Sequence, residues 1–245
     1  MHGVIMAKLE FPLYHGTSTI FLKSIAQHGL GGWDPIKEWR VLECLRRVIP
    51  IAGRYADRSE FIPALMNNAQ KMADQVNSHM NFQHGAVYLS PAKQTAVRYA
   101  CGKGKKGSEL ISRTVWLIEE LVRLDVSEVK GGLYRDFPEI FDVMDINVAP
   151  VLIQVNSVLD ENLLSESGES PAINLERVRK YRHKFPDSWE EVSQQCNFRL
   201  TEPIASKELD ISLISVGRRQ GYSTEYALLP IPLSEIPVTE SFLSL

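Results

Sequence analysis

Two spacings of apolar residues recur along the chain, and each predicts an element. A short apolar run from Phe11 to Gly16, after Pro12, suits a buried strand. Thr17 or Ser18 then caps a helix whose apolar positions Ile20, Phe21, Ile25 and Ala26 share one face before Gly29 stops it. Residues 33 to 84 predict two amphipathic helices. Asp34 caps the first, Pro35 opens it, and Pro50 is expected to end it. The second carries Phe61, Leu65, Ala69, Met72 and Val76 as a single stripe.

Strand character returns at Ala86 to Leu89, and Ser90-Pro91 opens a helix that runs to about Cys101. Glu109 to Leu124 predicts another helix. Val151 to Val155 and Asn197 to Leu200 read as strands, separated by a Ser/Glu/Gly loop around residues 166 to 170 and a basic helical stretch at about 174 to 195. Thr224 to Leu229 is a last strand, closed by Pro230-Ile231-Pro232. Helices and strands mix without a steady βαβ alternation, so the fold class is α+β, organised as one domain over 1–245 with a helical insertion at about 31–84.

Composition removes whole classes. With 27 Lys+Arg against 30 Asp+Glu the 245-residue chain is close to neutral, which excludes a globally basic nucleic-acid binder, and at 44% hydrophobic it is too apolar to be disordered. No stretch reaches the roughly 18 uninterrupted apolar residues of a membrane span. Met1 to Glu10 lacks the basic-then-apolar order of a signal peptide, so cytoplasmic residence is the expectation. Cys44, Cys101 and Cys196 are far apart and in no metal-ligand spacing, and read as three buried thiols. No metal is expected.

Three short constellations carry chemistry. Tyr14-His15-Gly16-Thr17-Ser18 sets a histidine where a strand meets a glycine turn; Gly16 lets a ligand approach its N–H and C=O, and His15 can reach a ribose hydroxyl. Tyr88 ends a strand and Tyr99 follows eleven residues later on a helix face shared with Ala92, Thr95 and Ala96, a slot for a flat ring. Glu225, in Tyr222-Ser223-Thr224-Glu225-Tyr226, puts a carboxylate in an apolar strand, where it needs a partner or a task.

In this order the pieces resemble the His-Tyr-Glu class of ADP-ribosyltransferases, the diphtheria toxin and poly(ADP-ribose) polymerase type. His15-Gly16-Thr17, Gly29-Leu30, Tyr88, Tyr99 and Glu225-Tyr226 match that family in identity and order. The resemblance implies a fold of split mixed sheets around an NAD cleft, and NAD as co-substrate. It makes Gly16 the amide binder, His15 the adenosine-ribose contact, and Tyr88 and Tyr99 the nicotinamide sandwich. It makes Glu225 the anion beside the reacting ribose. An oxocarbenium-like transition state rewards a fixed anion and needs no metal.

The chain departs from the family at Ala96, where a serine is common; Thr95 or Ser90 is the expected substitute. The interval from His15 to Tyr88 is long, which makes residues 31 to 84 an elaboration expected over the NAD site or the acceptor. Glu202, in Thr201-Glu202-Pro203-Ile204, competes with Glu225 for the anion's role.

Gly102 to Gly107 matches a dinucleotide GxGxxG pattern but follows a helix instead of a strand, so it is read as a basic loop. His79 and His84 are five apart and do not share a helix face, which argues against a zinc pair. Lys93, Arg98, Lys103, Lys105, Lys106 and Arg113 against Glu109 sum to +5; Arg177, Arg179, Lys180, Arg182 and Lys184 against Glu176 sum to +4. Such clusters on an acidic chain suit phosphate contact, which places a nucleic-acid acceptor ahead of a protein one.

Small members of the family serve as toxins in defence systems, and an inhibitory partner protein is compatible with that role. The alternatives are a protein-modifying transferase, an NAD-dependent RNA 2′-phosphotransferase and a module that binds NAD or ADP-ribose without chemistry.

Overall fold

The computed structural model describes residues 8–76, 84–102, 106–220 and 223–232. In chain order its elements are β1 (Leu13–Ser18), α1 (Leu22–His28), α2 (Pro35–Glu38), α3 (Val41–Arg54), α4 (Phe61–Ala73), β2 (Tyr88–Leu89), α5 (Lys93–Cys101) and α6 (Glu109–Arg123). There follow α7 (Tyr134–Asp136), α8 (Pro138–Asp145), β3 (Pro150–Val155), β4 (Leu163–Ser165), α9 (Ala172–Lys184), α10 (Trp189–Val192), β5 (Phe198–Leu200), β6 (Leu209–Gln220) and β7 (Ser223–Pro230). The fold is α+β with two antiparallel sheets. Contacts divide it into two units: Met1–Trp33, Ala86–Lys105 and Ala149–Leu245 form one, and Asp34–Gly85 with Lys106–Val148 form the other. The helical segment expected at 31–84 is thus joined by a second helical stretch, 106–148, from beyond β2.

The first unit holds both sheets, ordered β1-β3-β6-β7 and β2-β5-β4. They meet where Tyr14 and Ser90 exchange both backbone hydrogen bonds, each 2.8 Å. One face of the larger sheet is sealed by Leu13, Val151, Ile153 and Val155, each at most 1% exposed. On the other face Tyr14, Leu152 and Ile214 pack against Ala96, Val97 and Ala100 of α5. Each fully buried aliphatic side chain contributes about 1.5–3 kcal/mol, so these two layers fix the sheet. The twelve-residue β6 was not anticipated, although Leu209, Ile211 and Leu213 alternate with Asp210 and Ser212 at the strand period.

Local chemistry differs from expectation at several element ends. A 3₁₀ turn, Thr19–Phe21, intervenes between β1 and α1, and Ser18 makes no capping bond; its Oγ is buried without a hydrogen-bond partner among the described residues. Gly29 ends α1 at φ 77°, as a C-terminal glycine does. Helix α5 starts at Lys93, two residues after Pro91, because the Ser90 hydroxyl accepts the Ala92 N–H and turns the chain first. Cys44 and Cys196 are buried, but Cys101 is partly exposed.

In the helical unit Asp34 caps α2 as expected, accepting from Ile36 and Lys37. The break then falls at Arg40, in the left-handed region, and α3 passes through Pro50 to Arg54. A helix-interior proline costs about 3 kcal/mol. The stripe Val41, Cys44, Leu45, Val48, Ile49 and Ala52 is buried on both sides of it, and at about 1.5–3 kcal/mol for each larger side chain this outweighs the penalty. On α4 the buried face runs through Ile62, Ala69, Met72 and Ala73, while Phe61 is exposed, so the stripe is displaced by one residue at its start.

The carboxylate of Glu120, on α6, accepts from Arg123 at 2.8 and 2.5 Å and from the Ser59 hydroxyl. Arg123 first, then Ser59, hold its pKa down to about 2. A carboxyl whose folded pKa lies below its unfolded value contributes stability that is complete above the unfolded pKa and lost as pH falls through the folded one. Acid unfolding followed by circular dichroism should therefore show a flatter loss of stability in Glu120→Gln than in the parent from about pH 5 down to 2. Superimposable acid limbs would remove this cluster as a determinant.

Candidate functional site

Strand β1 brings the first constellation together through its backbone. In an antiparallel ladder a residue either exchanges both bonds with its partner or neither, and the two states alternate. Tyr14 gives its N–H and C=O to Ser90, so it does not bond to β3. Gly16, two residues on, directs its N–H and C=O to that same edge, past the end of β2. Helix α5 lies against it there: a Cβ on Gly16 would stand 2.0 Å from the carbonyl oxygen of Ala96. Only glycine fits.

His15 points to the sheet face opposite Tyr14. Its Nδ1 lies 2.8 Å from the carbonyl oxygen of Tyr88. A carbonyl only accepts, so Nδ1 carries the proton and donates. Burial lowers the ring's pKa below its ordinary value, against the raising effect of that same bond. At neutral pH the ring is uncharged, and Nε2 is left as an acceptor for a hydroxyl. Thr17 follows, buried, on the same strand.

Tyr88 and Tyr99 are both partly exposed, on β2 and α5. Ser90 and Thr95 have different fates. The Ser90 hydroxyl already accepts the Ala92 N–H at 3.2 Å, whereas the Thr95 Oγ1 is buried with no hydrogen-bond partner among the described residues. Thr95 stands next to Ala96, whose carbonyl closes on Gly16.

The structure does not bring Glu225 to this group. His15 pairs with Ile153, Ile153 with Ile211, and Ile211 accepts from Ile231, six residues beyond Glu225. Strands β3 and β6 therefore lie between β1 and the strand that carries Glu225. Glu225 is exposed on the outermost strand. Glu202 follows the strand that pairs with Tyr88. Arg199 pairs with Tyr88 on one side of it, and on the other Ile204 exchanges both backbone bonds with Leu30 at 2.9 and 3.0 Å. Three residues from Arg199 at strand spacing keep Glu202 within about 15 Å of Tyr88. Its side chain is exposed.

The basic clusters are largely spent on internal contacts. Lys106 donates from Nζ to the carbonyl oxygens of Val143, Met144 and Ile146 at 2.8–3.1 Å, closing the end of α8 instead of facing a phosphate. Lys93 lies over the Tyr14 ring and Arg98 donates to Gln194. Arg113 lies over Trp116. Lys103 and Lys105 fall outside the described residues, as does His79. On α9, Arg179 is paired with Glu10 and Asp160, and Arg182 lies over Phe11 and Trp189. Arg177, Lys180 and Lys184 remain exposed.

One residue beside the site escaped sequence reasoning. Glu190, on α10, accepts the backbone N–H that starts α5, 97 residues away, a separation that leaves no local signal. Among the described residues no group of three or more His, Cys, Asp or Glu is gathered to hold a metal ion, and no helix is long and apolar enough to cross a membrane. No protein-family model matches the chain, and neither a curated protein nor a solved structure matches it.

Proposed function

We propose that the chain is an NAD-dependent mono-ADP-ribosyltransferase that moves ADP-ribose to a macromolecular acceptor. One observation carries the reading: Gly16 turns an N–H and a C=O together to a strand edge beside a neutral histidine. A primary carboxamide, whose carbonyl oxygen and one of its two N–H groups lie along one edge, is the complement of that pair. The buried Thr95 hydroxyl, without a hydrogen-bond partner among the described residues, supplies a further polar contact of the kind a nicotinamide amide takes. Tyr88 and Tyr99 supply ring faces, and Nε2 of His15 accepts from a ribose hydroxyl.

Chemistry then requires little of the protein. The bond between nicotinamide nitrogen and the ribose carbon breaks, its electron pair stays on nitrogen, and neutral nicotinamide leaves. Positive charge grows on the sugar, where a fixed carboxylate stabilises it. Glu202 takes this role, because Glu225 lies on the far strand. An acceptor nucleophile forms the new bond to the sugar carbon and loses its proton.

Arg177, Lys180 and Lys184 on α9 favour a nucleic-acid acceptor over a protein. Incubation with NAD labelled in its adenylate phosphate, in the presence of RNA, DNA or protein, tests the reading. Nicotinamide release with label in nucleic acid is the expected result. Label in protein corrects the acceptor; release without transfer makes the protein a hydrolase; neither release nor binding overturns the assignment.

A further inference from the structure

The carboxylate of Glu190 holds one element of the candidate site, α5, without belonging to that site. Its Oε2 accepts the N–H of Lys93, the first residue of α5, at 3.1 Å. That N–H is one of the donors a helix start leaves without an internal partner, and an anion there is favoured by the helix dipole. Tyr14 is near enough that the charge of Glu190, after burial, raises the pKa of its hydroxyl. Tyr14 is the residue of β1 whose backbone pairs with Ser90, and His15 and Gly16 follow it directly.

Two further contacts close the same frame. The Lys93 ammonium lies 5.3 Å from the centre of the Tyr14 ring, and Arg98, farther along α5, donates to Gln194 at 2.5 Å. A cleft of about 270 Å³ remains beside Glu190, bordered by Ala92, Lys93, Trp189, Gln194 and Tyr226.

The placement of α5 matters because it carries Thr95 and Tyr99 and closes on Gly16 at backbone contact. A helix shifted by about an ångström moves a hydroxyl and a ring away from the amide-binding edge, and misplacements of that size lower efficiency by up to about 10²-fold. We propose that Glu190 is a positioning residue of the NAD site, accepting from the Lys93 N–H and so fixing the start of α5 where the Lys93 side chain meets the Tyr14 ring of β1. The proposal rests on the transferase reading for the identity of the ligand. It does not rest on that reading for the clamp itself.

Steady-state nicotinamide release and amide hydrogen exchange over Lys93–Cys101 test it in the parent protein, Glu190→Ala and Glu190→Gln. In Glu190→Ala, KM for NAD should rise about tenfold or more with kcat within about threefold of parental, the signature of lost binding geometry. Exchange over α5 should quicken in the same variant. Glu190→Gln keeps an acceptor oxygen and should restore KM to within about threefold and exchange to parental rates.

Parental KM and exchange in Glu190→Ala would overturn the proposal. So would equal damage in Ala and Gln variants with equal losses of melting temperature, which marks general destabilisation. Parent protein that neither binds nor cleaves NAD overturns the transferase reading instead, and faster α5 exchange confined to Glu190→Ala then still upholds the clamp.

Discussion

Glu202→Gln should lower nicotinamide release and transfer by ~10²- to 10³-fold, the usual loss of one electrostatic stabiliser, about 2.7–4 kcal/mol of transition-state free energy. The substitution keeps size and hydrogen-bonding atoms and removes only the charge. NAD affinity should therefore stay near parental, because in the proposed site the amide and the adenosine ribose are assigned to Gly16, Thr95 and His15. Glu202 is exposed, and its segment is held by backbone pairs at Arg199 and Ile204, so the fold should not notice the change. Glu225→Gln supplies the contrast. Exposed on the edge strand, with β3 and β6 between it and β1, it should stay within about twofold of parental activity. Single-turnover release with saturating NAD separates the two, and a loss in Glu225→Gln with none in Glu202→Gln would show that the strand order misleads about the site.

That choice between two glutamates marks where the sequence stops being legible. Elements written in local code were readable: the strand into His15-Gly16, the Asp34-Pro35 cap, the helix from Glu109 and the strand after Ala149 all rest on neighbouring residues. The proximity of His15 and Tyr88 followed from resemblance, and the structure joins them by a single hydrogen bond across 73 residues. Glu225 sits in a strand whose alternation shows a half-buried surface, yet alternation does not say whether a strand is central or outermost. Sheet order is a non-local property, and β7 lies at the edge. Lys106 teaches the same lesson for charge. Its place in a basic run suggested a phosphate surface, but the carbonyl end of α8, 37 to 40 residues away, claims it. Pro50 shows packing overriding propensity, since the buried stripe of α3 continues on both sides of it.

Gly16→Ala should destabilise the protein by about 3 kcal/mol or more, because the added methyl meets backbone and not a movable side-chain tip. The new Cβ would stand 2.0 Å from the Ala96 oxygen, 2.9 Å from its carbon and 3.1 Å from the Ala100 nitrogen, all in α5. To make room α5 must lift from β1, which opens the layer formed by Tyr14, Leu152 and Ile214 against Ala96, Val97 and Ala100. At roughly 2–4 °C per kcal/mol for a chain of this size, Tm should fall by about 10 °C. NAD binding should be lost more completely than stability, since the methyl occupies the junction where the Gly16 edge, Thr95 and α5 converge. Gly131→Ala is the matched control: a Cβ there meets nothing within 4 Å, and its melting should stay within about 3 °C of parental. If Gly16→Ala melts with the parent and still binds NAD, α5 is not seated on β1, and the amide-binding edge is not where the strand register puts it.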